Sequence, residues 1–219
     1  MAGIAKAIKE VRAHIPADVT LVCVSKFHPE QAIREAYDAG ERHFGESRVQ
    51  ELQRKVPQLP ADICWHFIGH LQTNKVRDLL KLRPYLIQSV DSMRLLQAIN
   101  DEAAKQGFVQ DVLLEVHVAK EESKTGFSPE ELKAVSQQLS AFSHIRVCGL
   151  MTMATNTDDE TEIRRCFMEA KALLSTFNIQ HSTLSMGMSD DYRIAIECGA
   201  TMVRIGSTIF GERNYNNDK

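Results

Sequence analysis

A chain of 219 residues with 43% hydrophobic and 25% charged residues has ordinary globular composition and can bury a substantial core. Its formal net charge of −3 supplies no basic field for general nucleic-acid binding, and no stretch approaches the roughly 20 apolar residues that a membrane helix needs. The five cysteines (Cys23, Cys64, Cys148, Cys166 and Cys198) form no CxxC pair, so they read as free thiols in a reducing, cytoplasmic setting.

At the N-terminus, Ile4, Ile8, Val11 and Ile15 fall on one face of an amphipathic helix, interrupted by Lys6, Lys9 and Glu10. That segment lacks the continuous apolar core of a secretory signal. Strand signals then recur at VTLVCVS (19–25), RHFGE (42–46), CWHFIG (64–69) and YLIQSV (85–90). They continue at VLLEVHV (112–118), IRVCGLM (145–151), STLSMG (182–187) and TMVRIG (201–206). Helical patterns lie between them. Pro29 opens and Gly40 closes one, while Asp91 caps and Gly107 ends another. A third, SPEELKAVSQQLSAF, has Ser128 as cap, Pro129 at the first helical position and Glu131 completing a capping box.

Repeated strand–helix units imply parallel strands with right-handed crossovers, and eight of them predict an α/β chain folded as a single (β/α)8 TIM barrel with an N-terminal helix. An open doubly wound sheet is the rival, opposed by the lack of a GxGxxG after the first strand. No Pro/Gly/Ser-rich linker divides the chain, so one domain is expected over residues 1–219.

In such barrels chemistry gathers at the C-terminal ends of the strands. The residues there are Lys26, Glu46–Ser47, Gly69–His70, Ser89, Met151, Gly187–Ser189 and Gly206–Ser207. Gly206, Ser207 and Thr208 end the last strand and start a helix, a combination suited to a phosphate, and Gly187 with Ser189 offers a second such loop. Two ordinary helix caps are the alternative. A lysine desolvated at an apolar strand end is suited to Schiff-base chemistry, although a lysine whose stem lies on the core with its ammonium in water fits the same pattern.

The motifs VSKFHP, FGESRVQE, WHFIGHLQTNK, GLMTMA, LSMGMSDD and MVRIGSTIFGER, in that order across residues 21–213, resemble those of the pyridoxal phosphate homeostasis protein family. The resemblance implies a fold-type III barrel similar to that of alanine racemase. It implies a covalent aldimine between Lys26 and pyridoxal 5'-phosphate (PLP), with Ser189, Gly206 and Ser207 on the phosphate and Arg204 facing the pyridine nitrogen. Ser207 stands where many relatives have threonine, and Ser47 where the family often has asparagine, so Ser47 keeps one hydrogen bond but lacks an amide's reach. Arg204 has an alternative as an inward residue paired with an acidic neighbour, and Glu46 reads as a structural residue at the rim.

Met151, Met153, Met186 and Met188 cluster at strand ends six and seven, where they either fill core or line the cofactor mouth. His66 reads as a satisfied structural histidine whose face, inward or outward, alternation does not decide. His28 and His70 are expected in solvent, and Asp190 and Asp191 are expected in the first turn of a helix rather than on a metal.

Alanine racemase adds a second acid–base group, a tyrosine, from a further domain. Tyr37, Tyr85, Tyr192 and Tyr215 match no catalytic motif, and the chain ends soon after the eighth strand. The expectation is therefore a monomeric carrier or buffer of PLP, without robust catalysis, handing its cofactor to apo-enzymes. An amino-acid racemase or related PLP enzyme using Lys26 as base is the alternative; a Schiff-base aldolase acting on a phosphorylated sugar is the third reading.

Overall fold

The computed structural model describes residues 3–120, 125–177 and 182–212, so Tyr215 lies outside the described residues. Eight strands close into one parallel barrel in sequence order: β1 (Thr20–Val24), β2 (His43–Glu46), β3 (Cys64–Phe67), β4 (Leu86–Val90), β5 (Gln110–Glu115), β6 (Ile145–Met151), β7 (Thr183–Ser185) and β8 (Met202–Ile205). Closure is made by β1 against β8, with Val22 opposite Arg204 and Cys23 opposite Ile205. Each predicted apolar run coincides with one strand, but the fifth strand starts at Gln110 and ends at Glu115, shifted towards the N-terminus of its run. Val116 still donates to the Met151 carbonyl and pairs with Phe127 in an isolated bridge.

The helices are α1 (Ile4–Arg12), α2 (Glu30–Asp38), α3 (Val49–Lys55), α4 (Val76–Leu80), α5 (Met93–Gln106), α6 (Pro129–Ser136), α7 (Glu160–Ser175), α8 (Tyr192–Glu197) and α9 (Ser207–Phe210). Ile8, Val11 and Ile15 are buried as the N-terminal periodicity predicts. Ser128 and Glu131 form the expected capping box, but α6 stops at Ser136 and the rest of that pattern becomes a short 3-10 turn. The cap of α5 is Ser92, not Asp91: the serine hydroxyl accepts the Leu95 N–H, while Asp91 accepts the Ser92 hydroxyl and pairs with His70. Gly107 ends α5 at φ 71, a left-handed position that glycine occupies without steric cost.

The two faces of the strands are sorted into two cores. Outward residues such as Leu21, Cys23, Phe44, Trp65, Phe67, Ile87, Val112, Leu114, Val203 and Ile205 join the helices in one large cluster. Inside the barrel a small apolar set, Val22, Leu86, Leu113, Met151 and Met202, forms a second cluster. The space above and beside it is polar, holding His66, Gln88, Ser185 and Arg204. Alternation thus places His66 inward, because its neighbours Trp65 and Phe67 belong to the outer core.

Candidate functional site

The loops after β7 and β8 converge as the sequence predicts. The Gly206 N–H donates to Ser189 Oγ at 3.3 Å, and the Arg204 N–H donates to Gly187 O at 3.0 Å. Asp191 lies at the start of α8, where its Oδ1 accepts the Met188 N–H at 2.6 Å and ties the β7 loop rather than capping the helix. A side chain at position 206 would meet the Val24 Cβ and carbonyl at 3.3 Å, so glycine keeps the β8 end close to the β1 end. Ser207 and Thr208 follow, both exposed, in the first turn of α9, where N–H groups have no partner within the helix.

Lys26 follows β1 by way of Ser25 and is half-buried as a residue. The loop that carries it lies against the β8 loop, because the His28 ring stacks on Phe210 with centroids 5.1 Å apart. That contact corrects the solvent-exposed position expected of His28; an imidazole next to an aromatic ring gains more from contact than from water. His70 is exposed as expected and bonds Asp91 at 3.0 Å.

Arg204 is 5% exposed and points into the barrel. Its Nη1 donates to Ser185 Oγ at 2.6 Å and its Nη2 to the Thr152 carbonyl at 2.9 Å. Burial pulls its pKa down to about 10, opposed by the charges of Asp191 and Glu115, so it stays cationic near neutral pH. Those carboxylates act at a distance. The hydrogen-bond partners are neutral oxygens, and from them a chain continues across the barrel. Ser185 donates to Gln88 Oε1 at 2.7 Å, Gln88 Nε2 bonds His66 Nδ1 at 2.8 Å, and His66 Nε2 bonds His43 Nδ1 at 2.9 Å. His66 is thus the satisfied structural histidine the sequence suggested.

Ser47 is half-buried at the end of β2, and the β3 loop closes on its backbone: a side chain at Gly69 would come within 2.2 Å of the Ser47 carbonyl. Ser89 locks that loop by donating to the Gly69 carbonyl at 2.5 Å. Met151 and Met186 are buried, Met151 inside the barrel, while Met153 is half-buried and Met188 exposed beside the mouth. Between the β6 and β7 loops, a cavity of about 340 Å³ is lined by Met153, Asn156, Ile163, Met188 and Asp191 among others.

Glu46 is a wall residue rather than a rim residue. It is fully buried, and its carboxyl bonds Ser25 Oγ and Lys55 Nζ at 2.6 and 2.7 Å. Lys55 and Glu51 were not singled out in the sequence. The available signal was a lysine on the apolar stripe of a helix, three residues after Leu52 and four after a glutamate.

Residues 1–214 match the family described as alanine racemase, N-terminal domain. The pyridoxal phosphate homeostasis protein of Helicobacter pylori is 42% identical over 203 residues, covering 92% of this chain and 90% of that protein. The Pseudomonas aeruginosa protein of the same name is 38% identical over 228 residues, covering 98% of both chains. Among solved structures, PipY of Synechococcus elongatus with PLP bound superposes with a TM-score of 0.87 at 36% identity, over 95% of this chain and all (100%) of that one. Alanine racemase of Clostridium difficile shares the fold alone, with a TM-score of 0.81 at 15% identity over 61% of its length. The chain therefore belongs to the pyridoxal phosphate homeostasis protein family, built on the alanine racemase N-terminal barrel.

Proposed function

We propose that this chain binds PLP covalently, as an aldimine with Lys26, and acts in the cytoplasm as a monomeric holder and buffer of that cofactor for other proteins. The observation that carries the reading is the contact between the two halves of the site. The Lys26 loop packs on α9 through His28 and Phe210, and α9 starts at the glycine that bonds Ser189. A half-buried lysine and a set of glycine, serine and N–H donors thus share one strand-end surface, which suits a molecule with an aldehyde and a phosphate.

In this reading Ser189, Gly206 and Ser207 take the phosphate, Ser47 and Met151 bound the ring, and Arg204 donates to the pyridine nitrogen. A guanidinium donor leaves that nitrogen an unprotonated acceptor, so the ring is a weaker electron sink than one facing a carboxylate. Ser207 and Thr208 are exposed and Lys26 is only half-buried, an arrangement that lets the cofactor leave. The names of the curated relatives agree with a role in PLP homeostasis.

Reconstitution with PLP should give an absorption band near the visible edge, and borohydride should fix the cofactor on Lys26. An equal yield of reducible adduct in Lys26→Ala sinks the assignment. In deuterated solvent, a panel of amino acids should show no exchange at Cα. Exchange that depends on Lys26 would instead make the chain an amino-acid racemase or a related enzyme.

A further inference from the structure

Lys55 is a lysine with no exposed surface, and its three ammonium protons each meet an acceptor. They go to the Ser25 carbonyl at 3.0 Å, Glu46 Oε1 at 2.7 Å and Glu51 Oε2 at 2.8 Å. The acceptors are themselves tied to the residues either side of Lys26. The Ser25 hydroxyl donates to Glu46 at 2.6 Å, and the Phe27 N–H donates to Glu51 Oε2 at 3.0 Å. Phe27 has φ 67, in the left-handed region that a non-glycine residue enters only when its surroundings hold it there. Its ring lies under the Arg48 guanidinium at 4.8 Å.

We propose that Lys55, Glu46 and Glu51 form a positioning cluster that fixes the turn carrying Lys26, with Glu51 holding Phe27 in its left-handed conformation. The proposal rests on the reading of Lys26 as the imine-forming lysine. The residue before Lys26 is gripped by its carbonyl and hydroxyl, and the residue after it by its N–H. The amine's starting point is therefore set from both sides, in a wall that excludes water. One ammonium cannot neutralise two buried carboxylates. Burial pushes Glu46 up to about 8, with a hydrogen bond shared with Glu51 adding to the shift and Lys55 opposing it. Burial also pushes Glu51 up, but hydrogen bonds from Glu46, Lys55 and the Phe27 N–H outweigh it and hold Glu51 below the usual range. A proton retained on Glu46 makes the cluster neutral overall, which lets it persist without solvent.

The experiment compares the full chain with Glu51→Ala, Glu51→Gln and Glu51→Met, each checked for folding by circular dichroism and thermal melting. Two ligands separate positioning from general damage. PLP forms the imine, trapped with borohydride across a concentration series, whereas pyridoxine 5'-phosphate has no aldehyde and reports the phosphate and ring contacts alone. Glu51→Ala should weaken imine formation about tenfold, the equivalent of one charge-assisted hydrogen bond, while pyridoxine 5'-phosphate binds within about twofold of the parent. Glu51→Gln, which can still accept the Phe27 N–H, should recover most of the loss. Should Glu51→Ala not fold, Glu51→Met, which fills the space but accepts no N–H from Phe27, is read in its place and should show the same split between ligands. Unchanged imine formation in the folded variant, or equal loss with both ligands, overturns the positioning role. Absence of any trapped adduct in the parent overturns the Lys26 reading itself, and the cluster's role falls with it.

Discussion

Two basic residues of the candidate site, Lys26 and Arg204, are supported in opposite ways. Behind Lys26 stands a compact ionic cluster in the wall between β1, β2 and α3, where Lys55 is shared by Glu46 and Glu51. Behind Arg204 stands a chain of neutral groups, Ser185, Gln88, His66 and His43, running through the lumen towards the opposite end of the barrel. In the chain every bond runs the same way. Gln88 donates to His66 Nδ1, so the His66 proton is on Nε2 and points at His43. The difference teaches how a buried group can be held. A turn with a strained residue is clamped by charges that cancel over one short step, while a buried guanidinium is satisfied by oriented dipoles that end at the half-buried His43 beside Tyr85.

The two supports should therefore fail differently. Lys55→Met keeps the side-chain volume but leaves two buried carboxyls without their ammonium, a change expected to cost about 3–5 kcal/mol. Urea denaturation near neutral pH would show it. A loss below about 1 kcal/mol would mean that the carboxyls simply protonate and that charge is not what holds the wall. Gln88→Leu cuts the neutral chain at its centre and leaves the Ser185 hydroxyl proton without its acceptor and His66 Nδ1 without its donor, while Ser185 keeps Arg204 and His66 keeps His43. Its expected cost is smaller, about 1–3 kcal/mol, read from the same denaturation curves.

The pH dependence separates them further. Burial, then the neighbouring His43, holds the His66 pKa well below its ordinary value of 6.5. The unfolded chain therefore binds a proton that the folded chain refuses, so the stability this group contributes is present above pH 6.5 and is lost as the pH falls. His66→Gln should flatten that acid limb, by on the order of 1 kcal/mol per pH unit, in melts compared between about pH 6.5 and pH 5.5. Glu46 acts in the reverse sense. Its folded pKa is raised, so its contribution is full below the ordinary carboxylate range and is lost as the pH rises towards about 8.

Much of this arrangement could be read locally. The eight strands follow from apolar, β-branched runs, and Lys26, Ser189, Gly206 and Ser207 lie at strand ends that the barrel rule marks out. The misreadings are equally local in origin. Asp91 and Ser92 are both good cap residues, and the choice between them depends on the serine reaching the Leu95 N–H while His70 draws Asp91 away. His28 looked like a loop histidine because nothing near it in sequence announces Phe210 as its partner.

The sequence by itself determined the number and order of the strands, the amphipathic helices between them and the residues delivered to the mouth. These depend on side-chain period and on turn and cap chemistry within a few residues. Only the tertiary structure decided that His66 faces the lumen, that Lys55 lies in the wall behind Lys26 and that His28 meets Phe210. Those placements depend on closing β1 against β8 and on the register between neighbouring strands. Closure brings together groups far apart in the chain, and burial then sets their charge.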